Sequence, residues 1–554
     1  MANGEAIIRQ ILYGKKYIKE KFGFEPEVFW SPDTFGHPWT IPQILKKSGI
    51  DYFYFMRASK KEQDLFWWQG SDGLKVLAFN SKYIGKMNAH DLCELTKYTD
   101  KKQKTKTSMY VYGIGDHGGG PTAEDIKVAN KLNSRQVFPR LEFSTTHNYF
   151  DAISKQKNID IPTVGDEFNP IMDGCYSTHW DTKVHNRNCE RLILQAETTG
   201  TVAKLLGNKY PDLEKPWKVT LFNQFHDILP GSAVKPSYDY SNNQAEKAEK
   251  MAKDTVSFSI KEISKKIRIK KKGFPVIVFN NLSWERTDMV GIELSSIIPN
   301  NPVIKDGDGN VYPVQILNGK LIFIAKAVPS LGYKVFYIFE GKGDDTQILT
   351  KPLTLENEFF TLKIDSGTGT ISYLYDKKSN KLVIKKRRDE GALSDNSFPI
   401  KQEAVESSND NPITAVTMNN MLQVLYEEPH RMSSWVIGPI SKIVNLIKNP
   451  EIEIISAGPV AGIVRIKNKF SKSTIIQDII IYKGVNRIDF NTTINWGEKS
   501  DSTIEAPMLK ASFTPILANT KATYEIPFGN IERVADGREE ILSNVVDEKP
   551  HILQ

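Results

Sequence analysis

Ile7, Ile8, Ile11, Leu12 and Ile18 recur at helical spacing over residues 5–21 and Gly23 follows as a stop, so the chain is predicted to open on a helix. The short apolar run Val28-Phe29-Trp30 then predicts a strand, followed by a Ser-Pro-Asp turn. Pro38 leads Ile41, Ile44 and Leu45 into a second helix that stops at Gly49, and residues 52–56 predict another strand. The pattern recurs at 108–112, which read as a strand running into a glycine-rich loop, with Thr122 and Asp125 spaced as a capping box for the next helix. Strands alternating with helices indicate an α/β domain with a largely parallel sheet.

Further along, helical periodicity covers 183–206, 217–228 (ended by Pro230-Gly231) and 236–267, which together read as a small helical bundle. After Gly273 the pattern shortens into β-branched and aromatic runs at 276–279, 311–316, 321–324, 333–339, 360–364, 452–456, 475–482 and 487–493. Turn dipeptides such as Asp306-Gly307, Asp308-Gly309 and Asn318-Gly319 fall between some of them. The expected fold is multidomain: an α/β domain over 1–165 with its N-terminal part missing, a helical bundle over 166–272, and β-sandwich domains over 273–554. No internal repeat or low-complexity tract interrupts that order.

Composition narrows the function classes. A chain of 554 residues, 40% hydrophobic and 25% charged, suits several ordinary globular domains. Its 73 basic and 66 acidic residues leave +7, but the lysines are scattered, with clusters only at 101–106, 265–272 and 385–388, so nucleic acid is not an expected partner. No apolar run approaches the ~20 residues that cross a bilayer, and none resembles a secretory leader; neither a membrane nor export is expected, and the cytoplasm is the expected compartment. Three cysteines, Cys93, Cys175 and Cys189, without any Cys-x-x-Cys pair, read as reduced thiols.

Three segments can carry chemistry. In 30–38, Asp33 follows a predicted strand directly, the end of an α/β sheet where ligands bind, and Trp30 and Phe35 flank it as rings suited to a sugar. Asp33 could equally cap the helix led by Pro38. In 112–122, Asp116 again follows a predicted strand, among glycines that let backbone approach a ligand closely; the Lys-Ser/Thr of a nucleotide loop is absent, and a plain flexible loop is the competing reading. Two carboxylates at strand ends of one sheet suit the nucleophile and general acid of glycoside hydrolysis. In 223–231, His226 and Asp227 sit in an otherwise apolar helical run, where they are either a hydrogen-bonded core pair or, with Asp33, part of a His/carboxylate site of the kind zinc uses. Asp166, Glu167, Lys183, Asn186, Arg187 and Glu190 read as capping, packing and salt-bridge positions, and His179-Trp180-Asp181 as an isolated triplet.

These segments, in this order, resemble the α-mannosidases of glycoside hydrolase family 38, bacterial members especially. The likeness rests on Gly4 to Gly14, Trp30 to Gly36 with Pro42 to Leu45 and Gly49 to Phe53, Gly115 to Thr122, Gly174 to Ser177 with Asn186-Arg187, Asn223 to Gly231, and Val278 to Arg286. The resemblance implies a retaining mechanism in which Asp33 attacks the anomeric carbon and also binds zinc, and Asp116 is the acid/base. It further implies His226 as a second zinc ligand, Asp227 as the holder of substrate hydroxyls, Phe35 and Arg57 as neighbours of the sugar, and a mannose-containing glycan as substrate. The family begins upstream with a strand whose His-x-His or His-x-Asp pair supplies two more zinc ligands, and continues beyond the motif Tyr524 to Gly529. Both ends are therefore expected to be short of the family pattern, leaving two zinc ligands and an exposed sheet edge. A homo-oligomer or a complementing chain would make up the difference. The other reading that follows is a carbohydrate-binding protein, degenerate or fragmentary, without a complete zinc site.

Overall fold

The computed structural model describes residues 2–58, 64–83, 85–114, 119–168, 172–269, 272–294, 298–342, 348–385, 419–501, 503–516 and 521–534. They form two compact units, one from the described parts of 1–259, 432–437 and 520–554, the other from 260–431 and 438–519.

The first unit opens on α1 (Gly4–Phe22), where the periodicity places it. The Asn3 side chain accepts the Ala6 N–H at its start, and at its end Gly23, at φ 81°, takes the left-handed conformation that closes a helix. Next come β1 (Val28–Ser31), α2 (Ile41–Lys47), β2 (Tyr52–Phe55), β3 (Leu65–Gln69), β4 (Lys75–Asn80), α3 (Ala89–Tyr98), α4 (Ala123–Asn133), α5 (Thr146–Ser154) and β5 (Thr163–Val164). The sheet runs β1-β2-β4-β3-β5; three of its four pairings are parallel and only β3 with β4 is antiparallel. Phe53, Tyr54 and Phe55 are all buried, as expected of a strand covered on both faces. Ile41, Ile44 and Leu45 of α2 pack with Phe53, Phe55 and Trp68, whereas Tyr149, Phe150 and Ile153 of α5 pack with Tyr54, Leu77 and Phe79. β1 lies at the edge of the sheet.

The strand expected at 108–112 does not form; Gly113 makes only an isolated bridge to Gly85. Met109 and Val111 join the apolar cluster of α5, while Tyr110 and Tyr112 join that of Met87 and Leu92. The alternation thus sorts side chains between two clusters without a backbone ladder, and period-two patterning reports the former only.

The capping box of α4 is made as its sequence indicates. The Thr122 hydroxyl accepts the Asp125 N–H, and the buried Asp125 carboxylate accepts from Thr122 N–H at 2.8 Å and from Met87 N–H at 2.9 Å. Thr122→Ala is expected to lower stability by about 1 kcal/mol. Urea unfolding would register this as a shift in midpoint at unchanged slope.

Three helices follow: α6 (Trp180–Leu205), α7 (Glu214–Asn223) and α8 (Lys235–Ser264). Cys189, Ile193 and Ala196 of α6, Trp217 and Leu221 of α7, and Ala245 and Ala252 of α8 share one core with Ala6. The helix expected to run to residue 228 ends at Asn223 instead. Beyond it the Gln224 amide donates to Asn186 at 2.8 Å and to Glu190 at 3.0 Å, and the backbone folds into tight turns in which Ile228 N–H bonds to Phe225 C=O. Residues 521–534, far later in the chain, return to this unit as a hairpin, Lys521–Ile526 with Gly529–Val534. A Cβ added at Gly4 would come within 2.4 Å of the Phe528 ring.

The second unit is antiparallel throughout. Phe274–Asn280, Gly332–Glu340, Pro302–Asp306 and Val311–Tyr312 make one sheet; Val314–Leu317, Lys320–Val328 and Arg286–Glu293 make another, and one apolar cluster joins them. The run expected as a single strand at 311–316 is split between these sheets at Pro313, which lacks the N–H a continuous ladder needs. Asn318 and Gly319, both at positive φ, form the two-residue hairpin turn that the dipeptide indicates. A five-stranded sheet over 349–385 and a four-stranded one over 451–495 share another core, and a three-stranded sheet completes the unit. Among the described residues no helix is long and apolar enough to cross a membrane.

Candidate active site

The site grows from the ends of two neighbouring parallel strands. β1 ends at Ser31, whose hydroxyl lies 2.6 Å from that of Thr34, closing the turn that presents Asp33. β2 ends at Phe55, and two residues on, Arg57 N–H donates to Pro32 C=O at 3.1 Å while its Nε donates to Asp33 Oδ1 at 2.9 Å. Asp33 is held by this guanidinium, its side chain 17% exposed, and does not cap α2, whose start at Thr40 has no side-chain cap.

From Arg57 the contacts run on without a break. Its guanidinium lies 5.9 Å from the Phe35 ring centroid, Phe35 meets the His226 ring edge-on at 6.1 Å, and His226 Nε2 is 3.6 Å from Asp227 Oδ2. Asp227 Oδ1 in turn accepts the Ser232 hydroxyl at 2.7 Å. Five residues singled out in the sequence, Asp33, Arg57, Phe35, His226 and Asp227, are therefore one contiguous group assembled from the sheet and the turn after α7. Asp116 lies outside the described residues.

The described glycines on either side of residues 115–118 meet other backbone closely. Gly113 and Gly85 exchange backbone hydrogen bonds, and Ile114 N–H bonds to Gly120 C=O at 3.0 Å. A Cβ at Gly119 would fall 1.9 Å from the Ile114 oxygen, and one at Gly113, at φ +138°, 3.0 Å from Gly120. At Gly113 and Gly119 the missing side chain lets backbone approach backbone.

A cavity of about 1410 Å³ opens beside the group and is lined by Ser31, Thr34, Phe35 and His226 together with the aromatics Trp30 and Phe225. That exceeds the ~1,000 Å³ of an ordinary small-ligand pocket. Trp30 stacks on Tyr54 at 4.1 Å, and burial, with the nearby Asp33 charge adding to it, pushes the Tyr54 phenol up to about 12. Tyr524, Glu525, Ile526 and Arg533 of the late hairpin also line the cavity. Arg533 Nε donates to Glu167 Oε1 at 3.0 Å, which makes Glu167 the salt-bridge position its sequence suggested. The hairpin's part in the cavity has no local signal in the sequence, because Glu167 and Arg533 are 366 residues apart.

Among the described residues no group of three or more His, Cys, Asp or Glu side chains could hold a metal ion. Asp33 and His226 are two donors, and a catalytic zinc takes three protein ligands, so the described residues do not by themselves fit the metal. His179 and Asp181 add nothing to it: the His179 ring stacks on Tyr238 at 3.8 Å, and its Nδ1 stands 3.5 Å from Asp181.

Residues 1–173 match the glycosyl hydrolases family 38 N-terminal domain, 171–263 the alpha mannosidase middle domain, and 402–551 the family 38 C-terminal domain. With all three domains in order, the chain belongs to glycoside hydrolase family 38. Alpha-mannosidase G of Dictyostelium discoideum is 25% identical over 588 residues, covering 96% of this chain and 50% of the relative. Human alpha-mannosidase 2C1 is 24% identical, covering 96% and 48%. The chain thus spans about half the length of these curated relatives. In three dimensions it is similar to an alpha-mannosidase from Enterococcus faecalis V583, with a TM-score of 0.75 at 17% identity, covering 96% of this chain and 67% of that one; this likeness establishes the fold.

Proposed function

We propose that this chain carries the chemistry of a retaining α-mannosidase acting on terminal α-mannosyl linkages of glycans. The observation that carries the reading is the Asp33 carboxylate, fixed by Arg57 just past the strand ends and joined through Phe35 to His226 and Asp227. Asp33 attacks the anomeric carbon and the glycosidic C–O bond breaks, giving a glycosyl-aspartate. Asp116 gives its proton to the leaving oxygen, then takes one from the water that releases mannose with its original configuration. Arg57 keeps Asp33 aimed, Phe35 offers an apolar face to the sugar, and Asp227 accepts from its hydroxyls.

Zinc is part of the proposal, with Asp33 and His226 as two ligands and completion required from a donor outside the described residues. When bound it would supply Lewis-acid contact to the sugar's hydroxyls. A second reading, sugar binding without turnover, is favoured by the absence of a three-donor group among the described residues.

Hydrolysis of an aryl α-mannoside by the purified chain, with and without added zinc, tests the two readings, with NMR following the first anomer released. Turnover releasing α-mannose first supports the mannosidase. Release of β-mannose first would overturn the retaining mechanism. No turnover by a folded chain that binds mannose leaves the binding reading.

A further inference from the structure

Lys183 lies in the first turn of α6, where a cation opposes the helix dipole and adds nothing to helix stability. Its ammonium has three N–H donors and three backbone carbonyls to meet them: Thr178, in close contact, Leu229 at 3.0 Å and Pro230 at 3.3 Å. Leu229 and Pro230 belong to the tight turn that carries His226 and Asp227. The same turn is pressed against Thr178: at Gly231, φ +95°, a Cβ would stand 2.8 Å from the Thr178 oxygen. Three carbonyl dipoles thus converge from two segments, and a cation between them turns mutual repulsion into attachment. Lys183 also lines the cavity. The far side of the turn is held independently, by Ser232 on Asp227 and by Tyr238, whose hydroxyl lies 3.4 Å from Asp227 C=O.

We infer that Lys183 is a positioning residue, whose ammonium clamps the 225–231 turn to the segment before α6 and so sets where His226 and Asp227 stand relative to Asp33. The inference rests on the mannosidase reading for its catalytic consequence, though not for the clamp itself. Burial pushes the Lys183 ammonium down to about 8, with the neighbouring Cys175 and Asp181 opposing the shift. Without its third proton the amine has two N–H donors for three carbonyls, so the clamp weakens on the alkaline side.

The test compares the wild-type chain with Lys183→Met and Lys183→Arg in two measurements. In hydrogen exchange read by mass spectrometry, Lys183→Met is expected to lose about 10-fold in protection over 225–231, with α6 beyond residue 192 unchanged and Lys183→Arg close to wild type. With an aryl α-mannoside, Lys183→Met is expected to lose roughly 10- to 100-fold in kcat/KM, the scale of a small misplacement of a binding group. Lys183→Arg recovers most of it and carries the alkaline limb of kcat/KM, centred near pH 8 in the wild type, to higher pH. Wild-type exchange at 225–231 in Lys183→Met overturns the clamp, as does an alkaline limb that Lys183→Arg leaves in place. If the wild type proves inactive while exchange still depends on Lys183, the mannosidase reading fails and the clamp stands.

Discussion

Asp33→Gly is expected to lose roughly 10⁴-fold or more in turnover of an aryl α-mannoside, the scale of removing a nucleophile that no neighbour replaces. Azide or formate at high concentration should return part of it, because a small anion can enter the space the carboxylate leaves. Azide should yield a β-mannosyl azide, since attack on the face Asp33 occupied inverts the anomeric carbon once. Asp33→Asn keeps the shape while removing the charge, and it too should be nearly inactive. Replacing Arg57 by Lys should cost far less, because an ammonium still offers a donor to Asp33 Oδ1, although it cannot reproduce the guanidinium's planar fork or its contact with the Phe35 ring. If Asp33→Asn kept a tenth of wild-type turnover, Asp33 could not be the nucleophile.

The second large effect concerns stability in acid. His37 is buried among Phe53, Phe55 and Trp68, with ring centroids 5.0, 5.6 and 6.2 Å away. Its Nε2 is one of the buried polar atoms without a hydrogen-bond partner among the described residues. Burial pushes the imidazole down from 6.5 to about 3, so the folded state holds it neutral. Between pH 6.5 and 3 the unfolded chain binds the extra proton, and the associated stability, fully present above 6.5, is lost as pH falls. The loss comes to about 2 kcal/mol at pH 5 and reaches about 4 kcal/mol at pH 3. His37→Leu keeps an apolar side chain of similar size and removes the titration. Urea unfolding at pH 7.5 and pH 5.0 should show the wild type losing about 2 kcal/mol more than this variant; equal losses would mean that His37 can be protonated in place.

The sequence exposed most clearly those features whose cause is local. Helix α1 with its Gly23 stop, the capping box at Thr122 and the strand Phe360–Ile364 each follow from neighbouring residues, and the structure places them there. Asp33 was legible as a strand-end acid, but not that Arg57 rather than the start of α2 receives its carboxylate; the spacing of 24 residues becomes contact only when β1 pairs with β2. The early end of α7 was hidden because Phe225 and Ile228 continue an apolar rhythm, while the Gln224 amide is drawn to Asn186 and Glu190 on another helix. Lys183 read as an ordinary salt-bridge lysine because its partners are carbonyls, which every residue has and no pattern marks.

The return of residues 521–534 to the first unit has a consequence for how the protein is made. At ~5–20 residues per second a ribosome needs roughly ten seconds to a minute to pass from the end of the first long segment to that hairpin. During that interval Glu167 has no Arg533 and Gly4 has no Phe528 against it, so the α/β unit waits, part-built, while the intervening sheets are synthesised. A nascent chain stalled before residue 521 should therefore be more open to proteases near Glu167 than the same chain released a few dozen residues later.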